Sequence, residues 1–164
     1  MDNKIVESYS GKHLGVPYEI RHWHYSNGEP QWNYYLFISE KQIPEVFPAL
    51  WLEGKPFDTG SKSKRIFYDY SNTMLVNLDW HCGCSYYEKI SGFDEQPKVI
   101  KVGCDYSHLY DEGRNYSLSD IESDVRDCIK SLVERVKVLQ WCSYCGDYVE
   151  AVDERNRCPE CKEK

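Results

Sequence analysis

The sequence predicts an α+β fold: a mostly antiparallel sheet, one long C-terminal helix packed on it, and a small four-cysteine zinc ribbon. Three observations carry this. Short runs alternate apolar and polar residues between turn signals, over 17–25, 31–38, 74–80 and 98–104. One stretch, 119–139, repeats apolar residues at helical spacing. Two Cys-x-x-Cys pairs lie at the C-terminal end. They divide the 164 residues into an α+β domain, 1–140, and a ribbon, 141–164.

Residues 1–16 carry no clear pattern, with Gly11 and Gly15 as breaks. Pro17 to Tyr25 reads as a strand, with Tyr18, Ile20 and His22 on one face. His22 and His24 also share a face. Two histidines at that spacing can chelate a metal, but half-exposed sheet residues use it more often. Ser26-Asn27-Gly28-Glu29-Pro30 is a turn, and Gln31 to Ile38 returns as the second arm of a hairpin. Pro44 and Pro48 forbid a long helix over 43–52, so a short helix or irregular lid is expected. The polar stretch 54–65 reads as a mobile loop, and 65–70 as a strand.

Three further runs, 73–80, 85–90 and 98–104, form an expected meander. Its first and third strands finish at the same end of the sheet. That topology gathers Asp79 and His81 beside Asp105, His108 and Asp111. Ser119 and Glu122 supply a capping box for the helix over 119–139. Its apolar stripe runs through Ile121, Val125, Cys128, Ile129, Leu132, Val133, Val136 and Leu139. Cys128 lies inside the stripe and reads as core.

Cys142-x-x-Cys145 and Cys158-x-x-Cys161 stand twelve residues apart. Four thiolates satisfy tetrahedral Zn²⁺ completely and leave no position for substrate. One structural zinc per chain is therefore expected, with iron the chief competitor for the same cage. A small hairpin should connect the two pairs, turning at Asp153-Glu154. Acidic side chains outnumber basic ones in the ribbon, so protein contact or C-terminal stapling fits it better than nucleic acid.

His81, Asp105, His108 and Asp111 form a candidate catalytic cluster and a second, mixed-ligand metal site. Asp79 and Glu112 are reserves for a general base. On one regular helix, residues 105, 108 and 111 would spread over about 120°, so joint chelation needs a loop. The structural alternative has Asp105 and Asp111 capping turns and His108 bonding across the sheet end, with Gly103 and Gly113 framing a tight loop. Cys82-Gly83-Cys84 has the wrong spacing for a zinc knuckle, and Cys82 and Cys104 read as small buried residues, with extra metal ligands the alternative.

Composition limits the partners. Net charge is −7, and the one short basic run is Lys62-Ser63-Lys64-Arg65, so duplex nucleic acid is not the expected partner. No signal peptide opens the chain and no apolar run approaches a membrane span. A soluble, intracellular protein is expected, and there eight cysteines argue for metal over disulfides. Aromatic residues reach 15%, with 14 tyrosines, which suits a β-rich core and also a contact surface.

Trp80-His81-Cys82-Gly83, Tyr86-Tyr87-Glu88-Lys89 and the run Lys101 to Gly113, followed by a capped helix, resemble a group of small bacteriophage proteins. That group carries a His-Gly-Gly segment and a Gly-x-Asp-x-x-His-x-x-Asp segment. Here Cys82 replaces the first glycine. The resemblance covers roughly residues 15 to 135 and leaves the ribbon outside. It implies a phage origin, hence the host cytoplasm, and singles out His81, Asp105, His108 and Asp111 without naming a chemistry. The leading expectation is a small phage accessory protein that binds a host protein or small ligand, with zinc only structural. The absence of a complete catalytic motif favours it over an enzyme. The alternatives are a metal-dependent hydrolase using the His/Asp cluster, and single-strand nucleic-acid binding through Trp23, Trp32 and Tyr34.

Overall fold

The fold is given by a computed structural model that describes residues 5–24, 30–53, 56–57, 65–66, 74–75, 77–90, 97–107 and 111–162. Five strands make one antiparallel sheet. They are β1 (Ile5–His13), β2 (Val16–His24), β3 (Gln31–Ser39), β6 (Tyr86–Ile90) and β7 (Val99–Asp105), in the order β1-β2-β3-β7-β6. A short helix α1 (Phe47–Glu53) follows β3, and β4 (Pro56–Phe57) pairs with β5 (Arg65–Ile66). The main helix is α2 (Leu118–Val133). The C-terminal part adds β8 (Gln140–Trp141), β9 (Tyr148–Val149) and α3 (Pro159–Lys162). The α+β class with an antiparallel sheet is thus present. Among the described residues no helix is long and apolar enough to cross a membrane.

Period-2 patterning explains the sheet. Ile20, Trp32, Tyr34, Leu36, Ile38, Ile100, Val102 and Cys104 are buried on one face. Onto it α2 lays Ile121, Val125, Cys128, Ile129 and Leu132. Burying each large side chain here is worth about 1.5–3 kcal/mol. Tyr87 reaches through to donate its hydroxyl to the Leu50 carbonyl at 3.1 Å, which ties α1 to the sheet. On the opposite face cations meet rings: Lys101 Nζ lies 4.4 Å from the Tyr35 ring centre, and the Arg21 guanidinium 5.5 Å.

Several expectations are corrected. Residues 5–13 form a full strand, because Leu14 (φ 47°) and Gly15 (φ 82°) turn the chain in the left-handed region that suits right-twisted hairpins. Leu is an unusual residue there, which hid the turn. The described residues of the run 73–80 do not form a strand. Its alternation reflects Leu75, Leu78 and Trp80 being folded inward by turns, with Asn77 N donating to Met74 O at 3.2 Å and Trp80 N to Leu78 O at 2.8 Å. The meander therefore has two strands, β6 and β7. Gly103 sits inside β7 opposite Tyr35 and Tyr86 and does not frame a loop. A side chain there would meet the Tyr34 carbonyl and the Tyr35 ring.

The helix is shorter than its apolar stripe suggests. It ends at Val133, and Val136 and Leu139 lie beyond it. The capping box is Ser117 with Asp120, two residues before the expected Ser119 and Glu122. Ser117 Oγ accepts from Asp120 N at 3.2 Å, and Asp120 Oδ2 accepts from Ser117 N at 2.8 Å. Replacing Ser117 with alanine is expected to cost about 1 kcal/mol, read as a shift in the urea midpoint with an unchanged slope. The loop expected over 54–65, the strand over 65–70 and His108 fall wholly or largely outside the described residues.

Candidate functional site

Two places gather chemistry-bearing side chains: the C-terminal cysteines, and the end of the sheet where β2, β3 and the 106–116 segment meet. At the first, backbone turns aim the sulfurs inward. Gly146 (φ 76°) lets the chain fold back, so its N–H bonds the Cys142 carbonyl at 3.0 Å. Asp153 Oδ1 accepts from Arg155 N at 2.9 Å and Arg157 N at 3.0 Å, which shapes the loop before the second pair. Cys158 N donates to Cys142 Sγ at 3.2 Å. The strands flanking the first pair, β8 and β9, pair with each other, so the expected hairpin around Asp153-Glu154 is replaced by one across Cys142 to Asp147.

The ligand atoms of Cys142, Cys145, Cys158 and Cys161 all lie within 4.8 Å of one another. Cys145 Sγ stands 3.9 Å from Cys158 Sγ. That is far beyond a disulfide bond of about 2.05 Å. It matches the edge of a tetrahedron built on metal–sulfur bonds of about 2.3 Å, which is about 3.8 Å. Backbone N–H groups, that of Cys145 foremost, pull the Cys142 thiol down to about 6 and favour its ligating thiolate form. These four residues can hold a metal ion. Their apolar surroundings are small, with Val149 and Val152 packed against the cysteines.

At the sheet end, the structure brings His81 and Asp111 together although thirty positions separate them. His81 Nε2 is 2.8 Å from Asp111 Oδ1, and the Tyr116 hydroxyl donates to the same oxygen at 2.6 Å. The Asp111 side chain is 4% exposed. The His81 ring stacks on Tyr106 with centres 3.9 Å apart and meets Tyr116 edge-on. Tyr106 OH donates to Asp124 Oδ2 at 2.5 Å, and burial, with this bond, pushes the phenol's pKa upward. Ser131 locks the preceding segment to α2: its hydroxyl accepts from Asp79 N at 3.0 Å and donates to Cys128 O at 2.6 Å.

Asp105 serves a different local role. Its carboxylate accepts from Ser85 Oγ at 2.9 Å and from Ser107 N at 3.0 Å, as a turn-capping aspartate does. Among the described residues here, the groups within metal-ligating reach of one another are His81, Cys82 and Asp111, without Asp105. Cys82 takes a left-handed conformation (φ 55°), which costs a non-glycine residue about 1–2 kcal/mol. Burial and the Asp111 and Asp105 carboxylates push its thiol pKa upward, so Cys82 is not an activated thiolate. Cys104 and Cys128 are packed in the core, as the sequence suggests, but Cys82, expected to be packed as well, is exposed because its left-handed turn carries it to the surface.

Beside this network lies a cleft of about 610 Å³. Its aromatic walls are His22, Trp32, Tyr106 and Tyr116, and its polar groups include Asp111, Glu112, Arg114 and Asn115. The volume falls in the range of small-molecule sites. Sequence reasoning missed the roles of Tyr106 and Tyr116, for which the high tyrosine content was the signal, and of Asp124, for which there was none. Tyr34 is fully buried against Trp80, and Trp32 is buried and stacked on His22 with ring centres 3.7 Å apart. Tyr34 therefore offers no open platform for a nucleic-acid base, whereas Trp32 lines the cleft and Trp23, on the opposite face of the sheet, is half-buried. Against this geometry, comparison with known protein families, curated proteins and solved structures finds no match.

Proposed function

We propose that this protein acts by binding, with a small ligand seated in the cleft between Trp32 and Tyr116 and one structural Zn²⁺ in the four-cysteine site. The cleft's lining carries the reading. It combines ring faces with hydrogen-bonding groups, and it holds two acids, Asp111 and Glu112, against one guanidinium, Arg114. Such a lining disfavours polyanions and suits a neutral or cationic molecule with a planar ring. The resemblance to phage proteins makes an accessory role in the host cytoplasm the natural setting, with a host component as the ligand. Zinc is preferred over iron because a closed tetrahedral thiolate site needs no redox function.

A ligand-observed NMR screen of neutral and cationic ring compounds tests the reading. Hits should weaken about tenfold, near 1.4 kcal/mol, in Tyr116→Ala, and should also weaken in Asn115→Ala, which leaves the His81–Asp111 contact in place. Hits that bind both variants as tightly as wild type, or a screen without hits, would sink it.

A metal-dependent hydrolase is the second reading. The grouping of His81, Cys82 and Asp111 within 4.8 Å favours it. The hydrogen-bond distance between His81 and Asp111 weighs on the other side, since the two satisfy each other directly.

A further inference from the structure

Glu7 and His24 lie outside the cleft's lining and His22 forms one of its walls, and the sheet register places all three on one face. Glu7 is the cross-strand partner of His22 in the β1–β2 pair, and His24 follows His22 two residues on. This is the core-facing side of the sheet, at its end beside the cleft. One ligand atom from each residue lies within 4.8 Å of the other two. We infer that Glu7, His22 and His24 form a second metal site, taking a divalent first-row transition ion on two imidazole nitrogens and one carboxylate.

The separations support a shared ion over direct hydrogen bonds. His22 Nδ1 is 3.5 Å from Glu7 Oε2, and His24 Nε2 is 3.8 Å from Glu7 Oε1. Direct bonds would bring them to about 2.7–3.2 Å. Two ligands on one tetrahedral ion, with bonds of about 2.0–2.1 Å, stand about 3.4 Å apart. A small closing movement therefore completes the site. The His81–Asp111 pair, at 2.8 Å, has already collapsed into a hydrogen bond.

Two independent features suit the three residues to a metal. His24 Nε2 is shut off from solvent, and among the described residues it has no hydrogen-bond partner. The side chain as a whole is 36% exposed, but this nitrogen is covered and meets Glu7 only at ion-pair distance, and a metal would satisfy it. The supporting groups of a metal site are also present. Tyr9 OH donates to Glu7 Oε2 at 2.9 Å and orients the carboxylate. Trp32 stacks flat on the His22 ring, 5° from parallel, and fixes its plane. Three protein ligands leave at least one coordination position for water or a ligand donor, unlike the closed cysteine site.

The test uses the full, untagged chain loaded with Zn²⁺ and desalted, with metal counted by elemental analysis. Wild type should hold two ions. Cys142→Ser/Cys158→Ser should hold one, and Glu7→Gln/His24→Ala should also hold one. Circular dichroism reports whether each variant keeps its sheet, and the single Glu7→Gln serves if the double variant does not. Tyr9→Phe should keep both ions and bind the second about tenfold more weakly in a Zn²⁺ titration. With Co²⁺, the strong sulfur charge-transfer bands should survive in Glu7→Gln/His24→Ala and vanish with the cysteines. A single ion that leaves with the cysteines overturns the proposal. So does a second ion that survives Glu7→Gln/His24→Ala, including one lost instead with His81→Ala.

Discussion

Cys158→Ser is expected to release the metal from the C-terminal ribbon and unfold residues 140–162 while the five-stranded sheet stays folded. The argument is one of magnitudes. Ordering some twenty residues costs about 1–2 kcal/mol each in backbone entropy. Against this, Val149 and Val152 are the partly buried hydrophobic residues packed on the cysteines. Fully burying two such side chains would return only about 3–6 kcal/mol. A structural zinc ion supplies about 10–16 kcal/mol, several times what these two side chains return, so metal binding is the dominant favourable contribution in this segment. Among the described residues few bonds tie this segment to the rest: Lys137 pairs with Glu150, and just before the segment Leu139 N donates to Gln42 O at 2.7 Å. In an ¹⁵N-resolved spectrum, amides of 140–162 should collapse to the random-coil region in the variant, or in wild type after chelation. Sheet amides should hold their positions. A ribbon that keeps its dispersed amides without metal would show that the cysteines do not need one.

Asp111→Ala is expected to destabilise the α+β part by at least about 2 kcal/mol. The carboxylate is almost wholly buried and accepts from the Tyr116 hydroxyl, with His81 at hydrogen-bond distance. Removing an acceptor from a buried donor costs about 1–3 kcal/mol for each donor that relied on it. The network spans three elements, since His81 follows the 74–80 turns, Asp111 precedes α2, and Tyr106 reaches Asp124 on α2. Its loss should therefore lower the midpoint of urea unfolding and open the cleft. Asp111→Asn keeps the shape and most of the bonding, so it should unfold closer to wild type. The same pair of variants addresses the hydrolase reading. A phosphodiesterase activity abolished in folded Asp111→Asn would make the cluster catalytic. Unchanged stability in Asp111→Ala would remove the structural role argued here.

Which parts were legible in the sequence follows from where each signal resides. The β2–β3 hairpin was legible because its alternation and the turn-forming residue types from Ser26 to Pro30, most of which lie outside the described residues, are neighbours in sequence. The cysteine cluster was legible because metal-ligand chemistry is written as spacing. The capping box shifted by two residues, because Ser117 and Ser119 both precede acids three positions on and only the chain's approach to the sheet chooses between them. The helix ended early for a related reason. Val136 and Leu139 continue the apolar pattern, but Leu139 N bonds the Gln42 carbonyl in another segment.

Local pattern, by itself, determined the α+β class, the antiparallel hairpin and the four-cysteine cluster, because each depends on residues a few positions apart. Tertiary structure alone decided that His81 meets Asp111 while Asp105 caps its own turn. It alone set Glu7 opposite His22, since register across a hairpin depends on a Leu14-Gly15 turn that composition does not announce. The cleft between Trp32 and Tyr116 has the same origin. Contacts between distant residues are fixed by how sheet, helix and loops share one core, and no short window of sequence contains that information.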